Sequence, residues 1–512
     1  MFIDGRQVPD NTVIETDIAI IGAGAAGITI ARELRNTDAT VTLIESGGFD
    51  FDPETQDLYA GETVGVPYTL DTSRLRYFGG STNHWGGWCR PFEPIDFEQR
   101  DWVPHSGWPI TRAQLDPYYV KANEVCQIGP FIYDDAEAFS EGGKYRPLDL
   151  PGGEVMTRFF EYSPPTRFGW TYRPDIEKAA NIKTYLHSNV LEIVPDETAG
   201  RVERLRVGTL SGRRFEVRPK LVILATGGIE NARMLLLSNS VEKAGLGNGR
   251  GLVGRYFMEH PHINRPCEIM ITDPALVAPY YQTYTKSAGV NIRGVFMFTA
   301  DYLRKHRRLG TVMTFYKVQE IRTDIEIETK DPEDARAIEA GLAQLVRSTT
   351  SSAGESPLLA MRYGTGCATE QAPNPDSRIL LSQEKDALGL NRTKMDWKLT
   401  AEDRTNLRRN LAALSRAFGA WGEGRVRVLF PERDAWEEAE GWGNHHMGTT
   451  RMADDPRKGV VDANCKVHGV ENLYVAGSSV FTTSATVNPT LTVVALALRL
   501  AEHVQTRFVR GV

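Results

Sequence analysis

Apolar and polar positions change period several times along this chain. Thr16–Ile21 is a short apolar run rich in β-branched residues; after three closely spaced glycines, Ile28–Leu34 takes up a helical pattern. A second apolar run, Ala39–Ile44, ends in Glu45. Strand, tight turn, helix and strand in that order predict a βαβ unit. Short β-like segments return at Lys183–Leu186 and Val202–Val207, and the buried strand Leu221–Ala225 leads through Thr226-Gly227-Gly228 into a helix from Ile229 to Leu237. Residues 263–320 alternate instead, as in Val295–Phe298 and Val312–Phe315, which predicts an antiparallel sheet with one covered face. Asp331 as N-cap, Pro332 behind it and the spacing of Ala337, Ile338, Leu342, Leu345 and Val346 predict an amphipathic helix to Arg347, followed by an exposed loop over Ser348–Glu355. Near the end, Asn472–Ser479 reads as a strand and turn, and Pro489 opens an almost wholly apolar helix from Thr490 to about Val504.

At 512 residues the chain has room for two or three compact units, and two are expected. Lys and Arg number 59 against 66 Asp and Glu, a net charge of −7 with no long block of one sign, which argues against nucleic-acid binding. Leu303–Arg308 is a local basic run best read as a solvated face. Cys89, Cys126, Cys267, Cys367 and Cys465 are odd in number and scattered, as free thiols in a reducing compartment would be. The amino terminus lacks the pattern of a secretory signal, and no run of about 18 apolar residues follows. A soluble cytoplasmic protein without membrane association is expected.

The glycines carry chemistry because of what flanks them. In Gly22-Ala23-Gly24-Ala25-Ala26-Gly27, the first glycine permits a tight turn, the second lets backbone approach a pyrophosphate, and the third allows close strand–helix packing. The helix that follows presents N–H donors and partial positive charge to that pyrophosphate. Glu45 stands near the spacing of about 20 residues at which an acid meets a ribose hydroxyl, and it would repel a 2′-phosphate. A dinucleotide other than NADP is therefore expected at the front of the chain. At the other end, His445-His446-Met447-Gly448-Thr449 supplies a histidine suited to proton transfer near neutral pH. In an extended segment adjacent side chains diverge, so one of the two histidines faces the site. No third ligand stands at a metal-binding spacing from this pair, and no metal is expected. His260 and His262, around Pro261, read as structural hydrogen-bonding residues.

These pieces, with Gly79-Gly80-Ser81-Thr82-Asn83-His84-Trp85, Ala225–Asn231, Gly254–Pro261 and Asn488-Pro489, make the chain resemble the glucose–methanol–choline (GMC) oxidoreductases over essentially its whole length. Within that family, Asn83-His84-Trp85, Thr450-Arg451-Met452 and Asn488–Thr492 are most similar to the bacterial pyranose oxidase-like branch, which includes sugar oxidases and C-glycoside 3-oxidases. The resemblance implies an α/β fold: a discontinuous Rossmann-like FAD-binding domain from 1–90, 180–262 and 441–512, and an α+β substrate domain with a mainly antiparallel sheet from 91–179 and 263–440. It also implies oxidation of a ring secondary hydroxyl of a pyranose or glycoside. Dioxygen or a quinone would accept the electrons; the oxidised carbon, the acceptor and the oligomeric state stay open. A dehydrogenase acting on another alcohol, and a lyase keeping FAD only structurally, are the alternatives.

The same resemblance implies roles for individual residues. His445 is the expected base, and Asn488, also a good N-cap before Pro489, is expected to hold the substrate oxygen. Cofactor contact is expected from Gly22, Gly24, Ala26, Gly27, Glu45 and Ser46 at the front. Gly79, Gly80, Ser81, Asn83 and His84 follow in the next loop; His84 either bonds covalently to the flavin or packs beside it, since Thr82-Asn83 departs from the Ser-Thr of covalent relatives. Val190 is expected to meet adenine through its backbone, with Ala225, Thr226 and Gly227 at a strand end nearby. Gly477, Ser478, Asn488, Pro489 and Thr490 complete the set. Tyr280, Tyr281, Phe296, Phe298 and Phe315 are aromatic enough to stack on a sugar, with core packing the default for each.

Overall fold

A computed structural model describes residues 1–282, 285–287, 289–321, 360–431 and 441–510. The helix expected over Asp331–Arg347 and the loop Ser348–Glu355 lie outside the described residues.

The front motif builds the centre of an eight-stranded sheet. Val13–Ile21 pairs parallel with Val41–Ile44 on one side and with Arg214–Leu224 on the other. Ile182–Leu186 and then Phe2–Asp4 extend the sheet beyond Val41–Ile44, again parallel. Arg214–Leu224 is shared: its first half pairs antiparallel with Val202–Gly208, and its second half pairs parallel with Leu473–Val475 from the far end of the chain. Ile18, Ala19 and Ile20 are fully buried, as the middle of a parallel sheet covered on both faces requires. Helix Ala25–Leu34 covers one face, and the closing helix Thr490–Arg510 packs against it and against Arg112–Val125.

That closing helix runs past Val504, where the apolar pattern stops. Its polar last turns have partners: Tyr118 Oη donates to Glu502 at 2.6 Å, and Gln505 Nε2 donates to the Glu33 carbonyl at 2.6 Å.

The alternating segments form a second, nine-stranded sheet that is antiparallel throughout. Along it run Gly424–Val428, Pro261–Ile271, Ala360–Thr369, Thr311–Ile321, Val290–Phe298, Val155–Tyr162 and Trp88–Cys89. Two short strands, Thr285–Ser287 and Gly441–Trp442, attach to Val290–Phe298 and Pro261–Ile271. Trp88–Cys89, Pro261-His262 and Gly441–Trp442 therefore sit in this sheet, although the expected boundaries at 90, 262 and 441 would put all of them with the first. Tyr280, Tyr281, Phe296, Phe298 and Phe315 belong to the second core, where Tyr281 stacks on Phe315 with ring centroids 5.1 Å apart. Arg304 and Arg307 of the basic run stand at the surface, paired with Glu98 at 2.7 Å and Asp101 at 2.8 Å.

Candidate active site

A cavity of about 830 Å³ runs from the turn after Val13–Ile21 to the face of the second sheet. The glycine turn forms one end. Gly22 has φ +99°, and a Cβ there would come within 2.7 Å of the Ala225 carbonyl. A Cβ on Gly27 would meet the Gly22 carbonyl at 1.9 Å, so this glycine sets the approach of helix to strand. Gly24 differs: a Cβ there meets no protein atom within 4 Å, and it stands on the cavity wall as the N-cap of helix Ala25–Leu34. Glu45 is buried and accepts from the backbone N–H groups of Ala23 at 2.9 Å and Gly47 at 3.0 Å. The ribose-binding acid expected from its spacing thus also braces the turn.

Most residues expected at the cofactor line this one cavity. Ala26, Glu45 and Ser46 do so at the glycine end, as do Gly80, Ser81 and His84 in the next loop. Val190, Ala225, Thr226 and Gly227 form another part of the wall, and Gly477, Ser478, Pro489 and Thr490 a third. Gly79, Asn83 and Gly27 are not among the lining residues. Gly79 is the left-handed residue that turns the loop, with φ +101° and its N–H donating to the Ala23 carbonyl at 2.8 Å. Asn83 lies under the loop and donates to the Phe78 carbonyl at 2.9 Å. Asn231 ties two walls together. Its Oδ1 accepts from Thr226 N and Oγ1, both at 2.8 Å, while its Nδ2 donates to the Ala476 carbonyl at 2.9 Å and Ser479 Oγ at 2.8 Å.

At the far end His445 and Asn488 come together, 43 positions apart in sequence. Asn488 Nδ2 stands 3.1 Å from His445 Nε2, and both residues line the cavity. The His445 backbone is pinned by Glu259, whose two carboxylate oxygens each lie 2.8 Å from the His445 N–H. Gly448, at φ +86°, allows the segment to pass the Tyr256 carbonyl, which a Cβ would meet at 2.2 Å. His446 also lines the cavity, so both histidines reach it, but its ring has other partners: its Nε2 is 2.6 Å from Tyr68 Oη, which donates to Glu259 Oε2 at 3.0 Å.

Burial governs the protonation of this cluster. It holds His445 well below the ordinary histidine value, helped by the nearby rings of His260, His262 and His446. It takes His260 to about 4 and His446 to about 3, and pushes Glu259 up to about 7. The histidines are neutral near pH 7, the form in which a ring nitrogen accepts a proton.

Sequence reading did not find that His260 touches His445, with the two Nδ1 atoms 2.9 Å apart. It marked Val312 and Thr314 only as part of an alternating strand, and it did not single out Asn264, Gly366 and Trp442; all five line the cavity. The two-residue period of the strands tells which residues face one side, but not which strand ends meet the cavity. Among the described residues no group of His, Cys, Asp and Glu is arranged to hold a metal ion.

Comparison with known proteins places the geometry. Residues 17–244 match the family described as FAD dependent oxidoreductase, and residues 373–497 match that described as GMC oxidoreductase. The chain thus carries a GMC oxidoreductase segment behind an FAD dependent oxidoreductase segment. It is 24% identical to the 2-methyl-1,2-propanediol dehydrogenase of Mycolicibacterium austroafricanum over 96% of both chains. To the C-glycoside 3-oxidase of Arthrobacter globiformis it is 34% identical over 123 residues, 23% of this chain and 22% of that one. The crystal structure of pyridoxine 4-oxidase from Mesorbium loti shares the fold, with a TM-score of 0.55 and 18% identity over 96% of this chain and 99% of that one. The chain is an FAD-dependent enzyme of the class that acts on CH–OH donors. The residues present fit FAD: the open cradle at Gly24 admits a diphosphate, and Arg74, on the same wall, keeps Nε and Nη1 buried without a protein partner. Among the described residues no helix is long and apolar enough to cross a membrane.

Proposed function

We propose that this enzyme is a GMC oxidoreductase that oxidises a ring secondary hydroxyl of a pyranose or glycoside to the ketone, passing the electrons to dioxygen or a quinone in a cytoplasmic setting. The observation that carries the reading is the pairing of His445 Nε2 with Asn488 Nδ2 at 3.1 Å on the wall of the cavity that begins at Gly24. FAD, when bound, supplies a hydride acceptor at N5. Gly22, Gly24, Glu45, Ser46 and the 225–227 strand end would hold its dinucleotide portion, and Gly80, Ser81, Pro489 and Thr490 would border its ring.

His445 Nε2 takes the hydroxyl proton as the carbon gives up its hydride. The Asn488 amide donates to the substrate oxygen and fixes its angle to His445. An amide serves here because it orients the oxygen without competing for the proton. Partial sequence likeness to a C-glycoside 3-oxidase supports a sugar substrate. Five buried free thiols support a reducing compartment.

A second reading, a dehydrogenase of a smaller alcohol, is favoured by a relative alignable along 96% of the chain, a 2-methyl-1,2-propanediol dehydrogenase. Anaerobic bleaching of the yellow holoenzyme by D-glucose, methyl β-D-glucopyranoside and 2-methyl-1,2-propanediol separates the two. A faster reduction by either sugar supports the first; reduction by the diol alone overturns it. Oxygen uptake against dye reduction then identifies the acceptor. His445→Ala is expected to keep FAD and lose reduction by about 10²- to 10⁴-fold. Wild-type reduction by that variant removes His445 from the role of base.

A further inference from the structure

We propose that His260 is a positioning residue that fixes the tautomer of His445, leaving Nε2 as the bare nitrogen facing the substrate. The inference rests on His445 being the base and says how the fold makes it one.

His260 is fully buried, at the start of strand Pro261–Ile271. Its Nε2 stands 2.9 Å from the Ser484 carbonyl oxygen and 3.1 Å from that of Ala485. Carbonyl oxygens only accept, so Nε2 carries the ring proton. A neutral imidazole has one N–H, which leaves Nδ1 of His260 with a lone pair. That lone pair points at Nδ1 of His445, 2.9 Å away, with the rings nearly perpendicular at 81°. Two lone pairs at that distance repel, so the hydrogen between them belongs to His445. Neutral His445 is therefore the Nδ1–H tautomer, and its Nε2 faces the N–H of Asn488.

The order of donors runs one way: His445 Nδ1–H to His260, and His260 Nε2–H to the 484–485 backbone. When His445 takes a proton at Nε2, its Nδ1–H keeps an acceptor, and the positive charge forms beside a neutral ring. The titratable groups around the pair are His262 and His446 beside His445, Glu259 under its backbone N–H, and Glu370, whose charge reaches His260. Adjacent residues 259 and 260 thus hold one residue twice: the Glu259 carboxylate takes the His445 backbone N–H, and the His260 ring takes its side chain.

The direct test is a long-range ¹H–¹⁵N spectrum of ¹⁵N-histidine-labelled holoenzyme, with signals assigned through His445→Ala and His260→Gln. The expected spectrum shows His445 protonated at Nδ1 and His260 at Nε2; a proton on Nε2 of neutral His445 overturns the proposal. Anaerobic reduction by D-glucose gives the second readout. His260→Leu removes the acceptor and is expected to slow reduction by about 10- to 100-fold and to move the acid limb of the rate profile to lower pH. His260→Gln offers a carbonyl in the same direction and is expected to fall between wild type and Leu. Equal rates and equal pH profiles for Leu and Gln overturn the proposal. Wild-type reduction by His445→Ala would instead strike the base assignment, leaving the tautomer as measured.

Discussion

Two glycines in the same turn do opposite work, and an added methyl group tells them apart. Gly27 has protein on its Cβ side: the added atom would lie 1.9 Å from the Gly22 carbonyl, so helix Ala25–Leu34 must move off its strand. Gly24 has open cavity there and a backbone of φ −84°, ψ −165° that alanine also adopts. Gly27→Ala is therefore expected to destabilise the apoprotein by about 1–3 kcal/mol, as overpacking does, and to weaken FAD binding with it. Gly24→Ala is expected to leave apoprotein stability within about 0.5 kcal/mol and still weaken FAD binding, because its methyl occupies space offered to the diphosphate. Urea unfolding of apoprotein and fluorescence titration with FAD measure both quantities for each variant. Equal apoprotein stabilities would show that the Gly22–Gly27 contact sets nothing.

Between elements, the segment around 445 is held by the entry to strand Pro261–Ile271, and this contact has a pH signature. His260 and His446 are fully or nearly fully buried, with values lowered by burial to about 4 and about 3. A lowered histidine contributes stability above its unfolded value of about 6.5, which is lost as pH falls through the folded value. Glu259 works the other way. Raised by burial to about 7, its contribution is full below its unfolded value of about 4.5 and is lost as pH rises through about 7. Between pH 6.5 and 4.5 it offsets one histidine; below 4.5 it offsets no more. The urea midpoint of the holoenzyme is expected to fall from pH 6.5 to 4.5, and His446→Gln should flatten the fall by up to about 1.4 kcal/mol per pH unit. Identical slopes for the two proteins would mean that His446 is protonated in the folded state.

The same contact marks how far the sequence could be read. The glycine turn, the parallel strands and the Pro489 helix start are local, and each residue pattern contains its own cause. Val295–Phe298 and Val312–Phe315 announced antiparallel strands by period alone. His260 carried no such mark, because its partner lies 185 positions away and nothing in Glu259-His260-Pro261 says which strand end it meets. Gly79 and Asn83 show the converse: a short motif located the loop, but which of its residues turn the chain and which face the cavity depends on the packing of Phe78 and Gly169 behind it.

Across the whole molecule, the loop after Pro94–Phe97 is tied to the end of strand Ala360–Thr369 by a buried ion pair whose charge has a reserve. Arg100 and Glu370 have side chains that are 0% and 1% exposed, bonded through both guanidinium amino groups. Glu370 follows strand Ala360–Thr369 and accepts from the Gly310 N–H at 3.0 Å. Next to it, Gln371 N donates to Ser484 Oγ at 3.0 Å, and Thr483 donates to the Asp96 carbonyl at 2.8 Å, so the pair braces the 483–485 backbone that holds His260. Asp96 is buried, and burial, then the Glu370 charge, raises it to about 8, so it is protonated at pH 7. Removing a partner from a buried pair costs about 3–5 kcal/mol because a charge is left alone. Here Glu370→Gln also removes the like charge that adds to burial in keeping Asp96 neutral, so the Asp96 carboxyl ionises more readily beside Arg100. Glu370→Gln is therefore expected to cost less than that range, and Asp96→Asn, which replaces an already neutral group, to cost little. The double variant leaves Arg100 with neither carboxylate and should be less stable than the sum of the singles by more than about 0.5 kcal/mol, the margin within which independent sites add. Urea unfolding of the four proteins at pH 7 measures the coupling; additivity within that margin would mean that Asp96 stays protonated when Glu370 is gone.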